Sequence, residues 1–434
     1  MLFKPVTFAA DKLINQCGLL NFFRSGNMSS LLSTPKQIKA HHQGIANVLA
    51  FALMPLSGFA TDIYIPSLPS MSAEMGVTSI QVQLTLTLFL ISYGITQLFI
   101  GSVLDSFGRY NISLICLVIF AAASIVIAST HSIYVIYLMR IVHGITVGGV
   151  VVSKRAYFID LFTGAKLKNY LSLFSIIWST GPIVAPFIGG YLQTGFGWKS
   201  NFYFLAGFAI VLAVLELIFS GESLQTFSTF NVKKIAGVYS KMIKTTTFTL
   251  ALIMVGLSYS MVMIYNMTGP FIIEHTLHLS PVIAGYSSLI LGVAWMTGGI
   301  IGKSTIDRPF FKKAAVNLTL QLVFVIAMII SINYRADLYT LIFFAFIIQV
   351  GAGNTFNNFF TYCLSRFPQN AGIASGLSGG VNYVIVSILS YGIVALLPAR
   401  DEHHLGYSYF VLIILSVIVM LILKTKKEVL TDNA

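Results

Sequence analysis

Apolar positions along this chain come in long blocks rather than alternating with polar ones. Runs of about 20 apolar residues, each able to cross roughly 30 Å of hydrocarbon as a helix, recur from residue 45 onward. Twelve such blocks fall near 45–68, 80–103, 111–129, 133–158, 168–193, 199–219, 247–271, 282–303, 313–332, 337–361, 371–397 and 406–423. The polar stretch 220–246, with Lys233, Lys234, Lys241 and Lys244, is the longest internal break and divides the blocks six and six. The pattern predicts an all-α integral membrane protein of 12 transmembrane helices. It comprises a tail (1–44), a six-helix half (45–219), a linker (220–246), a second six-helix half (247–423) and a C-terminal tail (424–434). Within the first tail, 8–23 has a weakly amphipathic pattern that suits either a helix lying on the membrane or an unstructured segment.

Composition agrees: 56% of residues are hydrophobic and only 9% charged, against roughly 25% charged in a soluble domain. The net charge of +12 would suit nucleic acid if it were gathered on one face, but it is divided among the connections. With both termini cytoplasmic, inner loops, helix ends and tails hold 22 of the 26 Lys and Arg. The outer loops hold three (Lys199, Arg335, Arg400), and Arg140 lies inside a span. That asymmetry sets the orientation. The bilayer is therefore the expected large partner, and nucleic acid is not.

The three cysteines, Cys17, Cys116 and Cys363, form no CxxC pair, so neither a disulfide framework nor a metal site is expected. His275 and His278 have HxxH spacing but no third ligand. No paired carboxylates, Cys–His pair or HExxH motif at membrane depth supports an enzyme, and no filter sequence or ring of repeated charges supports a channel.

The halves echo one another. Gly101-x3-Asp105 follows span two and Gly302-x4-Asp307-Arg308 follows span eight, while small residues recur in spans four and ten. A parallel repeat of six helices is a transporter plan with its substrate site between the halves.

Chemistry concentrates on a few positions. Asp62 lies in GFATDIYIPSLP, inside an otherwise uncharged run, where a carboxylate costs about 2.5–3.5 kcal/mol by insertion scales. Arg140, in LMRIVHG of span four, lies at a similar depth, so the two can meet. Such a pair either staples helices one and four together or forms a switchable site. His143, three residues after Arg140, is either a neutral hydrogen-bonding residue or a proton relay. In GSVLDSFGRY, Asp105, Gly108 and Arg109 make either a capped turn or a charged latch on neighbouring helix ends. In span five, Gly181, Pro182, Pro186, Gly189 and Gly190 mark a helix that packs closely and pivots. Tyr93, Gln97, Trp178, Tyr259, Asn266, Trp295, Asn354, Asn357, Asn358 and Asn382 are candidate cavity residues. Asp160, Glu216 and Glu274 near span ends are expected at the interface.

These segments resemble the major facilitator superfamily, in particular its twelve-span drug:proton antiporters. GSVLDSFGRY is similar to the loop 2–3 motif, RIVHGITVGG to the span-four motif with its Arg, and GPIVAPFIGG to the antiporter motif of span five. TDIYIPSLP and KRAYFIDLF narrow the likeness to the bicyclomycin-resistance (Bcr/CflA) type, and the resemblance covers about 45–430. It implies two six-helix halves, proton coupling at Asp62 regulated by Arg140, a latch at Asp105 and Arg109, and a pivot in span five. It also implies no cofactor beyond the proton-motive force, and a monomer in the bacterial inner membrane that exports a drug, siderophore or metabolite. Import of a nutrient by symport on the same fold is the alternative. Ser106 and Tyr110 depart from the basic residues usual in the loop motif. His143 stands where Gln is common, and Met54 where some multidrug relatives carry a second carboxylate.

Overall fold

The computed structural model describes residues 36–225, 227, 232–305, 307–367, 371–398 and 401–426. The side chains of 40, 168, 172, 175, 176, 178, 232–235, 371 and 372 are outside that description. The tail pattern at 8–23 and residues 427–434 likewise fall outside it. Eleven helical segments among the described residues are long and apolar enough to cross a bilayer. These are Gln43–Met75, Ser79–Phe107, Arg109–Ser129, Ile133–Leu161, Lys199–Phe219, Thr246–Thr276, Pro281–Ser304, Phe310–Ile332, Leu338–Ser365, Ile373–Leu396 and Glu402–Lys424. Between the fourth and fifth of these runs a further helix, Gly164–Phe196, at the place expected for span five. The ordinals one to twelve below count these segments in chain order, with Gly164–Phe196 as span five.

Capping side chains fix where several of these helices begin. Thr78 and Gln81 close a reciprocal capping box at the start of span two. Asp337 and Thr340 do the same for span ten, and Asp401 accepts from the His404 N–H at the start of span twelve. Gly108, at φ 91°, makes the left-handed break between spans two and three, a conformation that a side chain would oppose.

Span one is broken where its prolines stand. It runs as Gln43–Ala52, Leu56–Asp62, a 3-10 turn Ile65–Ser67, and Leu68–Met75. Pro55 precedes the second piece, and Pro66 has no N–H to offer the Asp62 carbonyl, so the helix yields one turn after the acid.

Spans two, three, four and six pack among themselves, as do seven, nine, ten and twelve. The two halves join mainly along two seams, span two against eleven and span five against eight, with the end of span one also meeting spans seven and eight. Glycines permit both approaches. A Cβ on Gly94 would meet the Gly380 carbonyl at 2.6 Å, and one on Gly190 would meet that of Pro281 at 2.8 Å. On its other side span five meets span one: Gly58 abuts the Pro182 ring, and Gly189 abuts the Ile63 carbonyl. Pro186 completes the seam, its carbonyl 2.7 Å from a Cβ on Gly285.

The polar linker contains an unexpected helix, Val232–Lys244. Its Tyr239 hydroxyl donates to the Leu98 carbonyl at 2.9 Å and Met242 is buried. Hydropathy reads this amphipathic segment as a gap because its apolar face is too short to register as a block.

Gly189→Ala is predicted to destabilise the protein by at least about 1–3 kcal/mol, the cost of overpacking a filled contact. Gly195→Ala, whose Cβ would meet nothing within 4 Å, serves as the control. Equal thermal stability of the two variants in mild detergent would refute the close-packed role of Gly189.

Candidate functional site

Arg140 is fully buried, and the residues around it explain how a cation is tolerated there. Its guanidinium carbon lies 4.4 Å from the Phe89 ring centroid and 4.8 Å from that of Tyr64. Nη1 donates to the Ala60 carbonyl at 2.8 Å and Nε to that of Thr85 at 3.3 Å. The Tyr64 ring is itself fixed by a 2.8 Å bond between its hydroxyl and Thr85 Oγ1. Ala60 is available because span one breaks just beyond it, so the proline-rich segment that places Asp62 also supplies a carbonyl to the cation.

His143 extends this set. Ser124 Oγ donates to the Phe120 carbonyl (2.9 Å), which leaves its lone pairs for His143 Nε2 at 3.0 Å. His143 Nδ1, 3.3 Å from Arg140 Nη1, then serves as an acceptor. The partners therefore assign a neutral imidazole with its proton on Nε2.

Asp62 and Arg140 do not form an ion pair. Asp62 instead accepts from Asn266 Nδ2 at 3.2 Å, across to span seven in the other half. Its Oδ2 and the Nη2 of Arg140 are buried with no hydrogen-bond partner in the protein. The two residues are neighbours all the same, since Arg140 bonds the Ala60 carbonyl two residues before Asp62. The expected contact is absent because Arg140 is turned between the rings of Tyr64 and Phe89 toward backbone carbonyls.

Next to this pair the seam is aromatic. Tyr93 stacks edge-on with Tyr383 at 4.8 Å, and Tyr383 meets Tyr259 at 6.0 Å. Tyr259 continues to Trp295 at 5.6 Å, which meets Phe356 at 5.1 Å. This run draws on spans two, seven, eight, ten and eleven. It gathers three residues flagged by the sequence and two, Tyr383 and Phe356, that were not, because aromatic residues are too common here to single out. Asn382 is buried with Oδ1 lacking a partner, and Gln97 borders Gly379 in the seam. The amides of span ten lie elsewhere. Asn358 Nδ2 donates to Asn354 Oδ1 at 2.7 Å, and Asn357 borders Gly302 of span eight. The Trp178 side chain lies outside the described residues.

At the basic end of the bundle Arg109 is held by two carboxylates, Asp105 at 3.0 Å and Asp160 of span four through Nε and, at 3.0 Å, Nη2. Glu222 accepts from the Arg109 and Tyr110 N–H groups, both at 3.1 Å, and so covers the N-terminus of span three. A Cβ on Gly108 would meet its Oε2 at 2.5 Å. These contacts draw on the first half and, through Glu222, on the start of the linker. Asp160 is thus not merely interfacial, and the sequence passed over Glu222 altogether. Glu216 also departs from its expected interfacial place. It is buried and paired with Lys154 of span four at 2.5 Å. Glu274 is half-buried in the π-helical turn that ends span seven.

Comparison with known proteins agrees with this architecture. The chain matches the model of the Major Facilitator Superfamily over residues 50–390. It is 27% identical to an uncharacterized MFS-type transporter, YdgK, of Bacillus subtilis, over 76% of this chain and 83% of that one. It is 24% identical to the multidrug resistance protein MdtL of Shewanella oneidensis, over 88% of this chain and 97% of the relative. A bicyclomycin resistance protein homolog of Haemophilus influenzae is 32% identical over 39% of this chain and 43% of its own. Among solved structures, that of a D-xylose-proton symporter superposes with a TM-score of 0.68 at 16% identity, covering 87% of this chain and 96% of the symporter. That last likeness concerns the fold alone.

The Lys154–Glu216 pair yields a stability prediction. Lys154→Met or Glu216→Met alone strands a buried charge and is expected to cost about 3–5 kcal/mol, whereas the double replacement recovers most of it. Denaturant unfolding in mixed micelles reads the cycle, and strictly additive losses would contradict a buried, coupled pair.

Proposed function

The chain belongs to the Major Facilitator Superfamily, and from that premise we propose that it is a proton-coupled exporter of a small molecule. On this reading it is of the Bcr/CflA type and works by alternating access in the bacterial cytoplasmic membrane, with both termini in the cytoplasm. The observation that carries the proposal is the contact from Asp62 to Asn266, a buried carboxylate of one half bound to an amide of the other.

Arg140 keeps its charge throughout, as guanidinium groups do in proteins. Asp62 is therefore the member of the pair free to change. Ionised, its carboxylate only accepts, and Asn266 answers by donating. Protonated, it is neutral, feels Arg140 less, and presents a donor that the amide nitrogen cannot accept. Gain or loss of one proton thus alters a bond that spans the two halves. The glycine and proline contacts of span five with spans one and eight supply the joint about which the halves rock. The membrane potential provides about 2.3 kcal/mol per charge per 100 mV, enough at that voltage for roughly fifty-fold accumulation per proton.

The aromatic run along Tyr93, Tyr383, Tyr259, Trp295 and Phe356 suits a flat, largely apolar substrate next to the acid. Export rather than import is favoured by the span-five sequence and by the multidrug and bicyclomycin resistance named for relatives.

Asp62→Asn is close to isosteric and keeps an acceptor for Asn266. It is expected to fold, to bind substrate, and to lose transport driven by an imposed pH gradient in proteoliposomes. Proton-driven transport at the wild-type rate would exclude Asp62 as the coupling site.

A further inference from the structure

A cavity of about 630 Å³ opens between spans eight, nine and ten, lined by neither Asp62 nor any residue of the aromatic run. Its walls are mainly apolar, formed by Ile301, Val316, Leu320, Phe324, Ile347 and Val350, with Asn317, Gln321 and Asn354 deeper in the groove. Ile301, Val316 and Leu320 are 38%, 54% and 52% exposed on a transmembrane surface, so their neighbours in a bilayer are acyl chains. Three cations line the same groove at its end beside loop 8–9: Arg308, Lys312 and Lys313.

The charges at this mouth are poorly compensated. The latch in the first half neutralises Arg109 with Asp105 and Asp160. Among the described residues no ion pair reaches Arg308 or Lys312, both of them exposed. Lys313 donates to the Thr305 carbonyl at 3.1 Å and lies 6.0 Å from the Phe310 ring centroid. Asp307, exposed beside Arg308, is the one acid in this loop and offsets a single charge of the three.

We propose that this groove binds one anionic glycerophospholipid of the cytoplasmic leaflet. The phosphate would lie among Arg308, Lys312 and Lys313, with an acyl chain along Val316, Leu320 and Phe324. The chemistry selects this occupant. A basic rim at the headgroup level leads directly into an apolar trough that opens to the hydrocarbon, and basic pockets between helices on the cytoplasmic side suit anionic headgroups. The leaflet follows from the distribution of Lys and Arg along the chain. The site is separate from the aromatic seam and does not depend on the direction of transport.

Native mass spectrometry of the purified full chain, titrated with phosphatidylglycerol or phosphatidylcholine, tests this. Wild-type protein is expected to retain phosphatidylglycerol at activation energies that strip phosphatidylcholine. The Arg308→Gln/Lys312→Gln/Lys313→Gln variant is expected to bind phosphatidylglycerol on the order of 100-fold more weakly, from about 1 kcal/mol per basic residue. A charge-matched control, Lys39→Gln/Lys166→Gln/Lys241→Gln, should leave that binding within a few-fold of wild type. Leu320→Trp, which fills the trough and keeps every charge, should also weaken it. Equal binding by the loop variant and the control, or equal retention of the two lipids, would overturn the proposal. So would inorganic phosphate raising the melting temperature as much as phosphatidylglycerol does, because the site would then recognise an ion and not a lipid.

Discussion

A guanidinium and a carboxylate share the interior of this bundle without touching, and much of the surrounding architecture follows from keeping both there. Arg140 is accommodated by two aromatic faces and by carbonyls from spans one and two. None of these partners is charged, so the positive field around it is only partly offset. Asp62 experiences that field while its one hydrogen bond runs to the opposite half. A direct ion pair would have satisfied both groups and locked the first half upon itself. The arrangement observed leaves the acid able to answer to two neighbours.

Backbone chemistry makes this geometry possible. The breaks at Pro55 and Pro66 set Asp62 at the end of a short helix and expose the Ala60 carbonyl to Arg140. The same broken segment is clasped by span five, where Gly58 and Gly189 remove the side chains that would hold the helices apart. Span five also forms the seam with span eight through Pro186 and Gly190. One helix therefore touches both the carrier of the acid and the second half.

The sequence revealed those features that depend on composition or on neighbours along the chain. Hydropathy located the spans, the Lys and Arg distribution gave their expected orientation, and the proline and glycine spacing in span five marked a closely packed helix. Partnerships across the fold were illegible by the same reasoning. Arg109 and Glu222 are 113 residues apart, and Lys154 and Glu216 are 62 apart. Nothing in the spacing of either pair announces that helix packing will bring it together. Asn266 stood among ten candidate polar and aromatic residues, but only the crossing of spans one and seven distinguishes it as the partner of Asp62. The contact of His143 with Ser124, a residue with no signal of its own, was illegible in the same way.

The central claim is that Asp62 changes its protonation as the transporter works. Infrared difference spectra between substrate-free and substrate-saturated protein test it most directly, with Asp62→Asn used to assign the band. The account predicts a carboxyl C=O band that changes on substrate binding in the wild type and is missing from the variant. Identical difference spectra for the two proteins would contradict it, because the acid would then hold one protonation state whether or not substrate is bound.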